Sequence, residues 1–270
     1  MGLCNRHKGR KRIESLRRFF VEKVVDPSQP CIISGSEARH MTRVLRMGPG
    51  DRFVLMDSKG ARFLARIESA SRQEVRVVME KPVPRPPPSP IEIVLCQAVL
   101  KPGPMDYLIQ KTSELGVDHI LPFYSQRTII QLEKDRTANR LRHWQEIAKS
   151  AAKQSGRIVP AQISPPVSLK ELTAKWKEER GLKAVLWEEE EARGLKGLLR
   201  DSQRGDKFIA IVGPEGGFAR EEIALFRDAG FAPLSLGNRI LRSETAAITM
   251  VAIVQYEWGD LEQASQEREG

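Results

Sequence analysis

Hydrophobic and polar residues alternate along several short segments of the first eighty residues. Such alternation is typical of strands with one buried face and predicts four of them, over residues 18–24, 52–56, 61–67 and 74–79. From Ser36 to Met47 the apolar residues instead recur at helical spacing, which places Arg39, Arg43 and Arg46 largely on the opposite face. These elements predict a small β-barrel with one helix, since barrel closure removes exposed strand edges.

A proline-rich stretch, residues 82–90, interrupts this pattern. Proline fixes φ and removes a backbone donor, so the stretch is predicted to be an extended connector between domains. After it, strand-like and helix-like segments alternate. The predicted strands are 91–99, 119–123, 184–187, 208–212 and 232–236, and the predicted helices are 105–115, 139–154, 169–179, 220–229 and 244–256. Alternation of this kind predicts an α/β fold with a largely parallel sheet.

The net charge of +9 is concentrated at the start of the 270-residue chain. Residues 1–46 hold eleven Lys and Arg against four Asp and Glu, which predicts a module for binding a polyanion such as RNA. For residues 1–15 a disordered basic tail is an equal alternative. The three cysteines form no CxxC pair, and no apolar segment is long enough to span a bilayer. We therefore expect a cytoplasmic protein with no metal site and no membrane contact.

One candidate ligand loop follows the predicted strand 208–212. The strand leads directly into the sequence Gly213-Pro214-Glu215-Gly216-Gly217, with Phe218 after it. Glycines at the carboxyl end of a strand let a ligand approach the backbone, and open α/β sheets bind ligands at this edge. The loop matches neither the dinucleotide fingerprint nor the phosphate loop. An ordinary tight turn remains the alternative interpretation.

A second candidate loop follows the strand 232–236. It carries Arg239 and Arg242 and leads into an apolar helix near Ser243. The polar residues that begin this helix are explained by the need to satisfy free backbone N–H groups. The two arginines are not explained in that way, because arginine is costly to bury and well suited to binding anions.

Taken together, six segments in this order resemble the 16S ribosomal RNA uridine-N3 methyltransferases of the SPOUT superfamily, over nearly the whole chain from residue 16. They are RRFFV (17–21), HMTRVLR (40–46), KTSELG (111–116), AAKQSGR (151–157) followed by Pro160, GPEGGF (213–218) and LGNRILRSETA (236–246). One departure is Ser243, where such proteins often have threonine. The resemblance implies a PUA-like RNA-binding β-barrel over 16–81, a linker over 82–90, a trefoil-knotted SPOUT domain over 91–260 and a tail over 261–270. Periodicity alone predicts only a doubly wound sheet.

The resemblance also implies a cofactor, S-adenosylmethionine, held mostly by the backbone of the two loops. Its predicted site residues are Leu186, Gly213, Pro214, Glu215, Gly216, Gly217, Leu236, Gly237, Ile240, Leu241 and Arg242. The substrate implied is 16S ribosomal RNA in the small ribosomal subunit, with contacts expected from Arg17, Arg18, His40, Arg43 and Arg46. A homodimer is expected as well, since the apolar helix 244–256 must be covered on more than one side.

Methylation of uridine N3 requires that the N3 proton be removed and that negative charge on O2 and O4 be stabilised. Arg242 is the candidate for stabilising that charge, and Glu215 is a candidate base or a structural residue of its loop. Three other functions remain open. They are a ribose 2′-O methyltransferase of the same superfamily, a non-catalytic RNA-binding protein and, with no fingerprint to support it, a nicotinamide-dependent enzyme.

Overall fold

The computed structural model describes residues 16–21, 26–57, 60–84, 88–130 and 134–261. The chain divides into two compact units. The first comprises Met1–Pro87 and Lys153–Val159, and the second comprises Pro88–Ala152 and Pro160–Gly270. Four parts of the sequence predictions lie outside the described residues. They are the basic extension 1–15, residues 22–24 of the first strand, residues 85–87 of the linker and residues 262–270 of the tail.

The first unit is built on a curled, five-stranded half-barrel. Its strands are β1 (Arg18–Val21), β2 (Cys31–Ser34), β3 (Arg52–Asp57), β4 (Arg62–Ala70) and β5 (Glu74–Pro82). They lie in the order β1-β3-β4-β5-β2, with β1 parallel to β3 and the other neighbours antiparallel. Alternate residues such as Phe53, Leu55, Ala65 and Ile67 form its core, as the sequence pattern predicts. Strand β2 is an element that the pattern does not predict.

The helix predicted over 36–47 is two short pieces with different hydrogen bonding. Helix α1 (Gly35–Arg39) passes directly into a π-helical turn, His40–Val44, which closes with a bond of 3.0 Å from the Leu45 amide to the His40 carbonyl. Within this wider turn the side chain of Met41 is fully buried. Two residues after the π-helical turn, Arg46 has a φ of 52°, which lies in the left-handed region.

The second unit contains a seven-stranded sheet in which every pair of neighbours is parallel. Its strands are β6 (Glu92–Ala98), β7 (His119–Tyr124), β8 (Gln162–Ile163), β9 (Val167–Ser168), β10 (Leu182–Leu186), β11 (Lys207–Val212) and β12 (Ala232–Leu234). The order is β12-β10-β11-β6-β7-β8, and β9 also pairs with β7. The predicted α/β class with a parallel sheet is therefore confirmed. The two-residue strands β8 and β9 are too short to leave a pattern in the sequence.

Helices cover both faces of this sheet. They are α2 (Pro102–Glu114), α3 (Lys134–Ser155), α4 (Leu169–Lys177), α5 (Leu195–Asp201), α6 (Arg220–Asp228) and α7 (Ser243–Glu257). Residues of α2, α3, α5 and α7 share one apolar core, and residues of α4 and α6 share the other. In β11, Phe208 and Ala210 belong to the first core while Ile209 and Ile211 belong to the second. Because both faces are buried, the strand is apolar throughout and shows no alternation.

The chain doubles back after its last strand. Strand β12 forms one edge of the sheet, beside β10. The following residue, Ser235, pairs with the segment before α5, its amide lying 2.9 Å from the Arg193 carbonyl. Helix α7 then packs against α2, α5, β6 and β11 at the centre of the sheet. This course agrees with the knotted fold that the resemblance implies.

Two further observations concern expectations about the whole protein. None of the helices in the described part of the chain combines the length and the apolar character needed to cross a bilayer. Among the same residues, no three His, Cys, Asp or Glu side chains come together as a set of metal ligands. Cys96 lies fully buried in β6, where burial raises the pKa of its thiol far above the ordinary value.

Candidate active site

The predicted cofactor residues lie at one edge of the larger sheet. Strands β12, β10 and β11 are adjacent and parallel, so their carboxyl ends, Leu234, Leu186 and Val212, face the same way. The loops that follow these strands cover residues 235–242, 187–194 and 213–219. Both loops identified in the sequence therefore begin at the same edge of the sheet, on the two strands that flank β10, and the end of β10 at Leu186 lies between them.

The first loop is a tight turn, and it also exposes backbone. The Gly217 amide lies 3.0 Å from the Pro214 carbonyl, and Gly217 has a φ of 67°, which favours glycine. Gly213 and Pro214 are buried, whereas Glu215 and Gly216 are exposed. The two sequence interpretations, a turn and a ligand loop, are thus compatible in one structure.

Charged side chains from two other strand ends hold this turn. Arg127, which follows β7, donates from Nη1 to the Gly216 carbonyl over 2.9 Å. Glu188, which follows β10, lies so close to Gly217 that a Cβ on this glycine would overlap its carboxylate. Sequence reasoning did not single out Arg127 or Glu188. The sequence offers one indication of these two residues, which is that each follows a predicted strand that ends at the same edge as the candidate loops.

Glu215 projects from the turn toward the beginning of helix α2. Its Oε1 accepts a hydrogen bond from the Lys101 amide over 3.3 Å, and Lys101 is the N-terminal cap residue of α2. A carboxylate at a helix N-terminus satisfies a free N–H group and complements the helix dipole. This contact favours a structural role for Glu215 over that of a general base.

The second loop is more open than the first. Gly237 has a φ of 99°, and no heavy atom would lie within 4 Å of a Cβ placed on it. Ile240 is 91% exposed, Arg242 is exposed, and Leu236 and Leu241 are half-buried. The structure therefore packs Leu236 partly against the core and half-buries Leu241, and it leaves Gly237 and the Ile240 side chain exposed.

Gln97 is a further residue of this edge that sequence reasoning missed. It lies at the end of β6, is fully buried, and connects both candidate loops through its side-chain amide. The amide nitrogen lies 3.3 Å from the Gly213 carbonyl and 3.0 Å from Ser243 Oγ, at the start of α7. A polar residue at the end of an otherwise apolar strand was the available signal.

The site suits the predicted methyl donor in its chemistry. S-adenosylmethionine carries a positive sulfonium and an ammonium group, and the carboxylates of Glu188 and Glu215 stand at the first loop. The backbone at Gly237 is open to close approach, and the Oε1 atom of Gln97 is a buried acceptor that receives no hydrogen bond within the described chain. Together these residues offer open backbone, negative charge and a free acceptor.

The predicted RNA-binding residues belong to the first unit. Three of them, His40, Arg43 and Arg46, are exposed on or next to the π-helical turn. Arg17 is exposed too and donates to the Leu45 carbonyl over 3.4 Å. Arg18 differs, because it is half-buried and its guanidinium lies against Gly156. The turn thus presents a compact basic surface formed by Arg17, His40, Arg43 and Arg46.

Two family models match the chain. A model described as an RNA methyltransferase domain matches residues 87–255, and one described as an RNA methyltransferase PUA domain matches residues 33–80. Among curated relatives, ribosomal RNA small subunit methyltransferase E of Mycobacterium bovis is 30% identical over 237 residues. That alignment covers 87% of this chain and 90% of the relative.

Two solved structures resemble both units. A methyltransferase from Legionella pneumophila in complex with the cofactor S-adenosylmethionine is 33% identical with a TM-score of 0.82. Ribosomal RNA small subunit methyltransferase E from Neisseria gonorrhoeae, bound to the same cofactor, is 31% identical with a TM-score of 0.80. Each match covers 91% of this chain and 99% of the other. The resemblance drawn from the sequence motifs is confirmed.

The first prediction concerns the turn at Gly217. Gly217→Ala is expected to weaken S-adenosylmethionine binding about tenfold, because alanine disfavours the positive φ of this turn and its Cβ would displace the Glu188 carboxylate from the loop. Gly216→Ala should be milder, since its Cβ would make only an ordinary contact of 3.4 Å with Arg127. Gly197→Ala, in open space on α5, is the control and should bind normally. Titration calorimetry measures all three. Normal binding by a folded Gly217→Ala variant would contradict the prediction.

The second prediction concerns the left-handed backbone at Arg46. Arg46→Gly should stabilise the first unit by about 0.5–1 kcal/mol, because glycine adopts this φ without strain, and should also weaken RNA binding. Arg43→Ala, at a right-handed helical position, should weaken RNA binding without a gain in stability. Thermal unfolding and filter binding at several salt concentrations measure the two effects. Unchanged RNA affinity in both variants would exclude this surface as the RNA site.

Proposed function

The chain belongs to the family of RNA methyltransferases that includes ribosomal RNA small subunit methyltransferase E, and we propose that it methylates N3 of a specific uridine in 16S ribosomal RNA with S-adenosylmethionine as the donor. One observation carries the proposal. The two candidate donor loops follow parallel strands β11 and β12, which flank β10, and so begin at the same edge of the sheet, in a chain that matches cofactor-bound relatives over 91% of its length.

When bound, S-adenosylmethionine supplies the reactive methyl group on its sulfonium, and no metal is required for the transfer. The chain's own task is to hold this donor and the uracil in line and to keep them in place. Backbone groups of the loops 213–217 and 235–242 hold the donor. The turn is kept in shape by Arg127 at the Gly216 carbonyl and by Glu215 at the Lys101 amide.

Arg242 is the residue to which we assign charge stabilisation. It precedes helix α7 and is exposed, so its guanidinium is available to a substrate that approaches the second loop. As the N3 proton leaves, negative charge spreads onto O2 and O4 of the uracil, and a cationic donor of hydrogen bonds stabilises it. Glu215 is the candidate acceptor of the N3 proton in this chain; if its contact with the Lys101 amide keeps it in a structural role, the proton passes to solvent water instead.

The substrate is bound, in this proposal, through the basic surface of Arg17, His40, Arg43 and Arg46. Phosphate contacts by such residues give affinity and orientation, with a strong dependence on salt. Arg18 contributes indirectly, by packing against Gly156. With a substrate in the assembled small subunit, we propose that the enzyme acts in the cytoplasm.

The third prediction tests the reaction and the role of Arg242 together. The protein should transfer one methyl group to unmodified small ribosomal subunits, and nucleoside mass spectrometry should identify 3-methyluridine. Arg242→Ala is expected to lower kcat about 100-fold, more than it lowers cofactor affinity, because the charge develops only in the transition state. Arg200→Ala, exposed on α5 beside Asp201, is the charge-matched control.

Other outcomes would point to other functions. A methyl group on the ribose would identify a 2′-O methyltransferase. Cofactor binding without any transfer to RNA would indicate a non-catalytic RNA-binding protein. Either result would overturn the proposal of uridine-N3 methylation.

We propose further that the active form is a homodimer. Helix α7 is apolar or small on nearly every face, and one side of it packs on α2 and the sheet. Ile248 and Ala252 remain half-buried, and Tyr256 is 55% exposed. Ile248, Ala252 and Tyr256 are four residues apart and form a stripe along α7. A second copy of the chain that packs on this stripe would cover it, and two-fold pairing is the commonest form of such association.

The fourth prediction follows from this stripe. Ile248→Glu should sediment as a monomer of 30.4 kDa at micromolar concentration, because a buried charge would disrupt an apolar interface. Leu225→Glu, which changes an exposed leucine on α6, should leave the dimer intact. Analytical ultracentrifugation distinguishes these outcomes. A fully active wild-type monomer would rule out an obligate dimer.

A further inference from the structure

Gln97 occupies a position where a polar side chain is unexpected. It lies in β6 between two buried strands, β11 and β7, and none of its surface is exposed. The residues that precede it, from Ile93 to Cys96, are all buried and apolar. A side chain at this place could be purely hydrophobic, as its neighbours are.

The amide nitrogen of Gln97 makes three polar contacts. It lies 3.0 Å from its neighbour's carbonyl at Ala98, 3.3 Å from the Gly213 carbonyl and 3.0 Å from Ser243 Oγ. Two of these partners are carbonyl oxygens, which only accept, so the nitrogen and not the oxygen must face them. Ser243 in turn donates its hydroxyl proton to the Gly213 carbonyl. The donors therefore converge on that single carbonyl.

This arrangement leaves the amide oxygen of Gln97 without a donor among the described residues. A buried acceptor that forms no hydrogen bond is destabilising, whereas an apolar side chain of the same shape carries no such penalty. Fold stability alone thus favours methionine over glutamine here. The glutamine needs a different explanation, which its partners supply.

The partners belong to the two loops of the candidate active site. Gly213 begins the first loop, directly after β11, and Ser243 ends the second loop as the first residue of α7. The two residues are thirty positions apart in the chain, and the Ser243 hydroxyl donates directly to the Gly213 carbonyl, beside the amide of Gln97. With its carbonyl turned inward, Gly213 holds the start of a turn whose later residues, Glu215 and Gly216, face outward.

We propose that Gln97 is a positioning residue that fixes the two cofactor loops relative to each other. The inference rests on the proposed function, because it assumes that these loops bind S-adenosylmethionine. Gln97 does not touch the reacting atoms. It sets the distance between the first loop and the start of α7, and so the shape of the cleft that the donor enters.

The chain offers a matched control at Gln255. This residue is also a fully buried glutamine of the second unit, and it also bridges distant segments, through the Gly116 carbonyl at 3.2 Å and Ser89 at 3.3 Å. It lies twelve residues beyond Ser243 on α7, about 18 Å along the helix axis. Its replacement tests the loss of a buried amide away from the loops.

The experiment compares Gln97→Met with Gln255→Met by calorimetric titration with S-adenosylmethionine and by thermal unfolding. Gln97→Met should bind the cofactor at least about tenfold more weakly than the wild type, since small shifts in a preorganised site are costly. Gln255→Met should lose thermal stability, because it removes a buried amide with two partners, yet should bind the cofactor within about twofold of wild type. Equal affinity of Gln97→Met and wild type would overturn the inference, and so would an equal loss in both variants.

A second pair of variants keeps the test decisive if Gln97→Met does not fold. Ser243→Ala removes the hydroxyl that links Gln97 to Gly213 and should weaken cofactor binding, whereas Ser243→Thr should recover most of that loss. If Ser243 only filled space, the hydroxyl of threonine in Ser243→Thr would not restore the cofactor affinity that is lost in Ser243→Ala. If the wild type itself fails to bind S-adenosylmethionine, the proposed function fails. If the wild type binds and neither Gln97→Met nor Ser243→Ala is weakened, only the role of Gln97 fails.

Discussion

The larger unit depends on one constraint, the burial of a fully parallel sheet on both faces. Parallel strands need helical crossovers, and these helices form the two apolar cores that enclose β11 and β10. Once both faces are covered, the only place where backbone and ligand can meet is the edge where the strands end. Every loop that carries candidate chemistry in this unit starts at that edge.

Glycine-rich loops expose their backbone because they carry few side chains. Contacts from other parts of the chain must therefore hold such loops in one conformation. In this protein the holding groups come from other strand ends. Arg127 reaches Gly216 from β7, and Gln97 reaches Gly213 from β6. Glu215 contributes the reverse contact, from the loop to the start of α2. The first loop is therefore held by residues from other strand ends along the same edge of the sheet, one on the adjacent strand β6 and one after β7.

Periodicity and turn chemistry were sufficient to predict the long elements and the parallel sheet. The sequence motifs were sufficient to locate the two candidate loops, which the structure places at one edge of the sheet, because each motif is local. The polar character of Gln97 at the end of an apolar strand was visible in the sequence, but its partners were not, since they lie 116 and 146 residues away in the chain. The π-helical turn was missed for a different reason. Met41 stays buried in either helical register, so the apolar pattern does not distinguish the two.

The doubling back of the chain after β12 has a consequence for the order in which the enzyme matures. Helix α7 fills the space over β6 and β11, beside α2 and α5, and it begins with the residue that completes the second loop. During synthesis the sheet can form before α7 emerges, but the donor cleft cannot. A nascent chain is thus unable to bind its methyl donor until this segment has passed into place. Donor binding in this proposal therefore depends on the packing of α7 and not on the formation of the sheet alone.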